Sequence, residues 1–220
     1  MDGIFNPKWY NLNDSSTFSN VLTCDAPDDV LCLNEELKNL IDSDIETGGG
    51  KDSINAGLTR FTGWKFFNKT TDHLMSWVAH VIKTYYLNPE TITFLPVMTQ
   101  VWGMKYEKND VSPAHSHFPS LVSWTYYPYI ENSEKVQPLE LCKVPTGNTE
   151  IDISMCAEHV QDKTKQWGEP ILSIPPHTGQ LVVFPAYAYH QVKPVLETCG
   201  RYCIAGNVSH DFDASTMINV

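Results

Sequence analysis

The sequence has few basic side chains for its length. It contains 15 Lys and Arg residues against 26 Asp and Glu residues, so the formal net charge is 15 − 26 = −11. A charge of this sign repels phosphate groups, which argues against non-specific binding to nucleic acid or to an anionic membrane surface. A specific substrate, either a small molecule or a protein or peptide, is compatible with this charge, and the sequence leaves the oligomeric state open.

Long apolar runs and paired cysteines are also missing. The longest apolar runs, such as residues 181–188, are much shorter than the roughly 20 residues that cross a bilayer. The N-terminus lacks the charged and apolar regions of a signal peptide. None of the six cysteines stands in a C-x-x-C pair, so neither a disulfide framework nor a zinc ribbon is expected. These absences predict a soluble cytoplasmic protein with reduced cysteines.

The length and composition fit one domain over residues 1–220. Hydrophobic residues make up 42% of the chain, which is enough for one substantial core. Residues 1–34 predict an irregular arm or short edge strands. Asn34 opens and caps a predicted amphipathic helix that ends before the glycine run at 48–50. A second helix is predicted from Asp72 to Asn88-Pro89. We interpret residues 1–90 as an arm with supporting helices.

From residue 91 onward the pattern changes to short β-branched and aromatic runs separated by turn residues. The predicted strands are Thr91–Leu95, Val97–Tyr106, Leu121–Tyr127, Ile151–Met155, Ile171–Ile174, Gln180–Phe184 and Tyr202–Val208. Residues 134–150, which include two prolines and a glycine, predict a long loop between strands. Residues 91–210 are therefore expected to form a mainly β sandwich or barrel with flanking helices.

Two histidines stand two residues apart in Pro113-Ala114-His115-Ser116-His117. Residues at this spacing on an extended chain project to the same face. Both imidazoles could then reach one metal ion. An H-x-H pair is a weak indication by itself, because histidine pairs in loops often have no role.

A third histidine and an arginine follow at intervals. His190 comes after the apolar strand that ends at Phe184-Pro185, and it is either a third metal ligand or a hydrogen-bonded structural residue. Arg201 opens the last apolar strand, where a guanidinium is costly to bury unless it is paired. Its planar fork matches a carboxylate. Its partner is therefore either an anionic ligand or an internal Asp or Glu.

The order of these residues resembles that of a known family. The chain has H-x-H, a long gap, F-P-x-x-x-x-H and an arginine eleven residues further on. This order resembles the iron(II)/2-oxoglutarate dioxygenases built on the double-stranded β-helix, a jelly-roll or cupin-like fold. It is most similar to a branch of small oxygenases found in bacteria and marine phages. For a phage protein, the expected cytoplasmic location would be the cytoplasm of the host. The resembling stretch runs from about Val97 to Asn207.

The resemblance implies a metal centre. It assigns His115, His117 and His190 as the iron ligands and the catalytic centre. Most members of the family hold iron by two histidines and an aspartate, which leave three positions open. His117 departs from that pattern because it stands in the place of the aspartate. Asp110 is the alternative carboxylate ligand, although the i, i+2 spacing favours His117.

The resemblance also implies a co-substrate pocket. Arg201 matches the basic residue that pairs with the far carboxylate of 2-oxoglutarate. Many members have the motif Arg-x-Ser here, and Cys203 takes the place of its serine. Asn207 belongs to the same group of cofactor-binding candidates. Tyr126 or Tyr127 could donate a hydrogen bond to 2-oxoglutarate, since one of two neighbours on a strand faces inward. Both tyrosines could equally be aromatic core residues.

The implied function is that of a dioxygenase that uses iron(II), 2-oxoglutarate and dioxygen to hydroxylate an unidentified substrate, with release of succinate and carbon dioxide. Two alternatives stay open. One is a three-histidine, cupin-type dioxygenase that does not use 2-oxoglutarate. The other is a non-catalytic, metal-binding jelly-roll module, because the fold alone does not determine function. The other histidines are interpreted as surface or capping residues: His73, His80, His159, His177 and His210.

Overall fold

The structure is a computed structural model that describes residues 7–12, 20–47, 60–62, 69–87, 96–107, 110–144, 167–193 and 200–210. The strands in these ranges are β1 (Lys8–Asn11), β2 (Asn20–Asp25), β3 (Arg60–Thr62), β4 (Pro96–Tyr106), β5 (Ser112–His115), β6 (Val122–Ile130), β7 (Leu139–Cys142), β8 (Pro170–Ile174), β9 (Gln180–Pro185), β10 (Tyr189–Val192) and β11 (Arg201–His210). The helices are α1 (Asp28–Leu31), α2 (Asn34–Glu46) and α3 (Lys69–Val81), and α3 continues as a π-helical turn over Ile82–Tyr86.

Two antiparallel sheets pack face to face. The major sheet has the order β1-β2-β9-β6-β11-β4-β3, and the minor sheet has the order β5-β10-β7-β8. An apolar cluster that joins Val182 and Phe184 of β9 to Leu141 of β7 and Val192 of β10 lies between them. This architecture confirms the predicted jelly-roll class, mainly β with flanking helices. No helix in the ranges above is both long and apolar enough to cross a bilayer.

The major sheet has an apolar core on each of its faces. Leu37 and Ile41 of α2 and Leu74 of α3 pack against the outer face, where they meet Trp124 and other residues of β6 and β11. The opposite face lines the space between the sheets. Because side chains alternate along a strand, each central strand sends every second residue to the helices and the others to the interior. The helices therefore cover one face and leave the other for a site.

The strands with the clearest apolar runs are confirmed. Five of the predicted strands correspond, within a few residues, to β4, β6, β8, β9 and β11. Both predicted helices are confirmed as α2 and α3, although α3 begins at Lys69 rather than Asp72. The predicted strands Thr91–Leu95 and Ile151–Met155 lie outside the described residues.

The prediction of an unbroken loop over residues 134–150 is wrong at its centre. Residues Leu139–Cys142 form β7, all four residues are buried, and β7 pairs with both β10 and β8. A four-residue strand next to Pro138 has too little local pattern to be recognised. Its pairing partners, which are distant in the sequence, determine its conformation.

The N-terminal residues contribute more strand than a loose arm would. β2 lies inside the major sheet between β1 and β9, with four consecutive buried residues. β1 and β3 occupy the two edges of that sheet. The described residues before position 63 thus extend the jelly roll as well as supplying helices.

The capping role predicted for Asn34 is wrong. The N-cap position of α2 is Leu33, and no side chain caps this N-terminus. The Asn34 Oδ1 atom instead accepts a hydrogen bond of 2.6 Å from the hydroxyl of Tyr126 on β6. The asparagine joins the helix to the sheet, a contact between residues 92 positions apart that no local sequence rule could indicate.

Gly206 leaves no room for a side chain on the helix side of β11. A Cβ atom there would lie 2.6 Å from Trp124 Cζ2 and 2.7 Å from the Gln100 carbonyl oxygen, which is backbone and cannot rotate away. We expect Gly206→Ala to lower the free energy of unfolding by about 1–3 kcal/mol, the usual cost of overpacking. Urea denaturation followed by circular dichroism measures this change. An unaltered midpoint would show that the sheet yields at this position.

Candidate active site

Three histidines converge between the sheets. The ring nitrogens that His115, His117 and His190 can offer to a metal all lie within 4.8 Å of one another. The ring centroids are separated by 5.0 Å for His115 and His117, 4.2 Å for His115 and His190, and 4.9 Å for His117 and His190. Imidazole nitrogen is a suitable ligand for iron, nickel, copper and zinc. The donor set therefore fits one transition-metal ion.

Strand pairing brings these residues together. β5 and β10 are antiparallel neighbours, and His115 stands directly opposite His190 in their register. His117 follows just after β5, where its backbone N–H donates to the carbonyl oxygen of Ala186 at 2.8 Å. That hydrogen bond holds the segment after β5 against the turn that precedes β10. Strand pairing and this hydrogen bond thus place all three histidines close together beside β5 and β10.

Hydrogen bonds to the backbone orient two of the imidazoles. The Nδ1 atom of His115 lies 2.7 Å from the Pro113 carbonyl oxygen, and the Nδ1 atom of His190 lies 3.1 Å from the Ala188 carbonyl oxygen. A carbonyl oxygen can only accept, so each Nδ1 atom must carry the hydrogen. The lone pair is then on Nε2, the tautomer that a metal ligand needs.

Burial keeps all three imidazoles neutral. It lowers the pKa of His115 and holds the pKa of His190 well below its usual range, with the neighbouring histidines adding to the effect at His190. Burial and then the proximity of His115 lower the pKa of His117 to about 3. Metal ligation requires deprotonated donors, so the environment prepares these side chains for a metal.

Arg201 is buried in the same interior without a carboxylate partner. Its side chain is 1% exposed, and its guanidinium carbon lies 4.7 Å from the ring centroid of Tyr106 and 5.5 Å from that of Tyr127. Its Nη1 atom donates to the Gln137 carbonyl oxygen at 2.5 Å, while its buried Nε atom has no hydrogen-bond partner. Within the described part of the chain, Arg201 forms no salt bridge.

The groups around Arg201 carry no compensating charge. Burial raises the pKa of Tyr127 to about 12 against the opposing field of Arg201, and it raises the pKa of Cys203 to about 11. Burial also raises the pKa of Tyr106. These side chains are neutral at ordinary pH, whereas a guanidinium stays charged. The alternative of an internal Asp or Glu partner thus has no support among the described residues, and the pocket fits a carboxylate ligand.

The two adjacent tyrosines lie on opposite faces of the major sheet. Tyr127 faces the interior beside Arg201. Tyr126 faces the helices and donates to Asn34. A co-substrate contact is therefore open to Tyr127, whereas Tyr126 belongs to the helix-side core and points away from the pocket.

The other candidate residues of β11 share the interior face. Cys203 is buried two residues from Arg201 in the apolar cluster between the sheets. Asn207 is also buried; its Oδ1 atom accepts from the Ser123 hydroxyl at 2.8 Å, and its Nδ2 atom donates to Gln100 at 3.0 Å. Cys203 thus lies at the Arg201 end of the interior face. Asn207 lies further along β11, within a hydrogen-bonded row.

Sequence reasoning assigned no role to Tyr106 or Trp102. Tyr106 contacts Arg201, and the ring centroid of Trp102 lies 5.5 Å from that of His117. Both are on β4, and their separation of four residues places them on the same face. Strand periodicity could have grouped them, but it does not reveal which face is the interior.

Other polar residues weighed for the site lie elsewhere. The Asp110 Oδ2 atom accepts the backbone N–H of Glu107 at 2.8 Å in the turn after β4, and Asp110 is not part of the histidine cluster. His73 and His177 lie on the surface beside Asp29 and Asp25. His80 is exposed on α3, and the side chains of His159 and His210 lie outside the described set.

Comparisons with known proteins agree with this geometry. Residues 100–207 match the family described as "Putative 2OG-Fe(II) oxygenase". Among curated protein sequences, none matches this chain. The matched segment contains every histidine of the cluster together with Arg201.

Solved structures show the same fold at low sequence identity. A viral collagen prolyl hydroxylase from Paramecium bursaria Chlorella virus-1, solved with 2-oxoglutarate, is 10% identical with a TM-score of 0.56, over 86% of this chain and 95% of that one. A prolyl-4-hydroxylase from Pseudomonas putida is 11% identical with a TM-score of 0.55, over 91% and 97%. SnoN, a non-haem α-ketoglutarate-dependent epimerase from nogalamycin biosynthesis, is 10% identical with a TM-score of 0.58, over 86% and 78%.

The histidine cluster predicts a metal dependence that can be measured without a substrate. We expect Ni²⁺, a redox-stable substitute for iron, to raise the melting temperature of the wild type, because ligand binding to the native state stabilises it. His190→Ala should abolish most of that rise. His177→Ala is the matched control, because this histidine is exposed beside Asp25, and it should respond like the wild type. An equal rise in His190→Ala would remove His190 from the metal site.

Proposed function

We propose, from the premise that residues 100–207 of this chain belong to the 2OG-Fe(II) oxygenase family, that the protein is a hydroxylase that releases succinate and carbon dioxide as it oxidises its substrate. The observation that carries this proposal is Arg201. A permanently charged guanidinium is buried in the same interior as three neutral histidines, and no described carboxylate balances it. A bound dicarboxylate would balance it.

Each group of the cavity fits one component of the reaction. His115, His117 and His190 would hold the iron, and Arg201 would bind the far carboxylate of 2-oxoglutarate by charge-assisted hydrogen bonds. Iron(II), 2-oxoglutarate and dioxygen are the cofactor and co-substrates of this family. Together they supply an oxidant for C–H bonds, coupled to the decarboxylation of 2-oxoglutarate. The protein supplies binding and orientation.

Aromatic side chains pack around the histidines and Arg201. The Phe184 ring lies 4.9 Å from the His190 ring, and the rings of Tyr106 and Tyr127 flank Arg201. A dry site strengthens the attraction between a guanidinium and a carboxylate, because little solvent screens the charges. It also protects a reactive centre from side reactions with water.

Among the described residues, no carboxylate joins the histidine cluster, and this favours one alternative. Three neutral imidazoles leave the full charge of the metal ion unbalanced by protein ligands. In a cupin-type dioxygenase with this set, Arg201 would bind a carboxylate of the substrate itself. The alternatives therefore differ in whether 2-oxoglutarate binds to the metal-loaded protein.

The class of substrate is open between peptides and small molecules. The similar structures include prolyl hydroxylases and an epimerase of a biosynthetic pathway. At identities of 10% to 11% they share a fold with this chain, and a fold hosts many substrates. Phe118 follows His117 and is 79% exposed, so its ring is available to contact a substrate beside the histidine cluster.

An anaerobic titration tests the proposed function directly. We expect a visible charge-transfer band when both iron(II) and 2-oxoglutarate are present, and no band with either alone. Arg201→Gln should raise the 2-oxoglutarate concentration for half-saturation about tenfold to a hundredfold, since a hydrogen-bonded charge contributes about 1.5–3 kcal/mol. Lys143→Ala, which removes an exposed charge paired with Glu169, is the control and should leave the titration unchanged.

Three outcomes would oppose this proposal in different ways. If the protein binds iron(II) but 2-oxoglutarate produces no band, the cupin-type function takes its place. If no iron binds, the non-catalytic alternative does. The third outcome is measured as a time course of succinate after dioxygen is admitted without added substrate. If the band forms but no succinate appears, the protein binds the co-substrate without turning it over.

A further inference from the structure

Trp102 presents an unused hydrogen-bond donor beside the histidine cluster. It stands on β4, and its ring centroid is 5.5 Å from that of His117. Its Nε1 atom is buried and has no hydrogen-bond partner. Buried donors in folded proteins are almost always paired, because an unpaired one loses its hydrogen bonds to water without replacement. An orphaned N–H next to a candidate metal centre therefore indicates a missing acceptor.

Two of the unpaired buried polar atoms among the described residues are donors on the interior face of the major sheet. Five buried side-chain atoms in the described residues lack a partner: Asp44 Oδ2, Trp102 Nε1, Trp124 Nε1, Gln180 Oε1 and Arg201 Nε. Three of these are N–H donors, and Trp124 belongs to the helix-side core. The remaining two donors, Trp102 Nε1 and Arg201 Nε, are the ones that contact the interior between the sheets.

Strand register places these two donors at separate positions along the same interior face of the major sheet. Trp102 is opposite Ala205 of β11, and Tyr106 is opposite Arg201. These two residue pairs lie four residues apart along β4 and β11, so their side chains share a face. At roughly 3.3 Å per residue, the pairs are separated by about 13 Å along the strands. Both side chains are long enough to reach inward across part of this distance. The histidines are at the Trp102 end.

We propose that the Trp102 indole N–H donates a hydrogen bond to the carboxylate of 2-oxoglutarate that lies at the metal, while Arg201 holds the other carboxylate. This inference rests on the proposed function. It makes Trp102 a co-substrate-binding residue. A dicarboxylate has an anionic group at each end, and the interior face has one unpaired donor beside the histidines and another at Arg201. The charged donor is distant from the cationic metal, and the neutral donor is next to it, which avoids repulsion between two cations.

The ring of Trp102 and its N–H have separable roles. The ring packs against His117 and closes that side of the cluster. Trp102→Phe keeps an aromatic ring and removes the donor. Trp124→Phe is the matched control, because it also removes a buried, unpaired indole N–H but on the helix side of the same sheet. A change that appears in both variants would reflect loss of packing.

The test is the anaerobic iron(II) and 2-oxoglutarate titration, with Ni²⁺ binding measured in parallel. We expect Trp102→Phe to raise the 2-oxoglutarate concentration for half-saturation about threefold to tenfold, the effect of one hydrogen bond. The position of the charge-transfer band at saturation should also move. The affinity for Ni²⁺ should stay within about twofold of the wild type, since no ligand is lost. Trp124→Phe should match the wild type in all three measurements.

The failure of this inference differs from the failure of the proposed function. If the wild type forms no band, the proposed function fails and takes the inference with it. If the wild type forms the band and Trp102→Phe gives the same half-saturation and the same band, the inference alone is overturned and the indole N–H is satisfied by water. A loss of 2-oxoglutarate affinity that is equal in Trp102→Phe and Trp124→Phe would also overturn it.

Discussion

The position of β11 decides which side chains face the interior between the sheets. It is an inner strand of the major sheet, with β4 along one side and β6 along the other. One face of β11 sends Arg201, Cys203 and Asn207 to the interior, and the other sends Tyr202, Ile204 and Val208 to the helix-side core. A register slip of one residue would exchange the two sets. The guanidinium would then lie in an apolar core, so the register on both sides of β11 is the constraint on which the site depends.

The charge of the cavity is opposite to that of the chain. The protein as a whole has a formal charge of −11, yet the described residues around the site are neutral histidines, neutral tyrosines, a neutral thiol and one guanidinium. A divalent metal would make this interior strongly cationic. Such an interior would favour a dianion over a neutral ligand, because the dianion neutralises positive charge that no described protein group balances. The resemblance places His117 where most family members have an aspartate, and a neutral imidazole there adds no negative charge.

The sequence showed the contents of the site better than its surroundings. The spacing of His115 and His117 and the arginine in an apolar strand are local patterns, and strand periodicity converts them into geometry. Three features depended on distant partners. β7 forms because β8 and β10 flank it. Asn34 meets Tyr126 across 92 positions. The choice between Tyr126 and Tyr127 depends on which face of β6 the helices cover, and alternation by itself does not specify that face.

Both faces of the major sheet hold buried polar groups. On the helix side, the hydroxyls of Tyr126 and Tyr202 are paired with Asn34 and Asp42, whereas Trp124 Nε1 is unpaired. On the cavity side, donors of Trp102 and Arg201 remain unpaired. Unpaired buried donors lower the stability of the free protein, so the apolar helix-side core must offset that cost. A ligand that binds only the folded state and pairs those donors would return the lost stability through linkage. The helix-side core thus stabilises a sheet whose other face holds two unpaired donors.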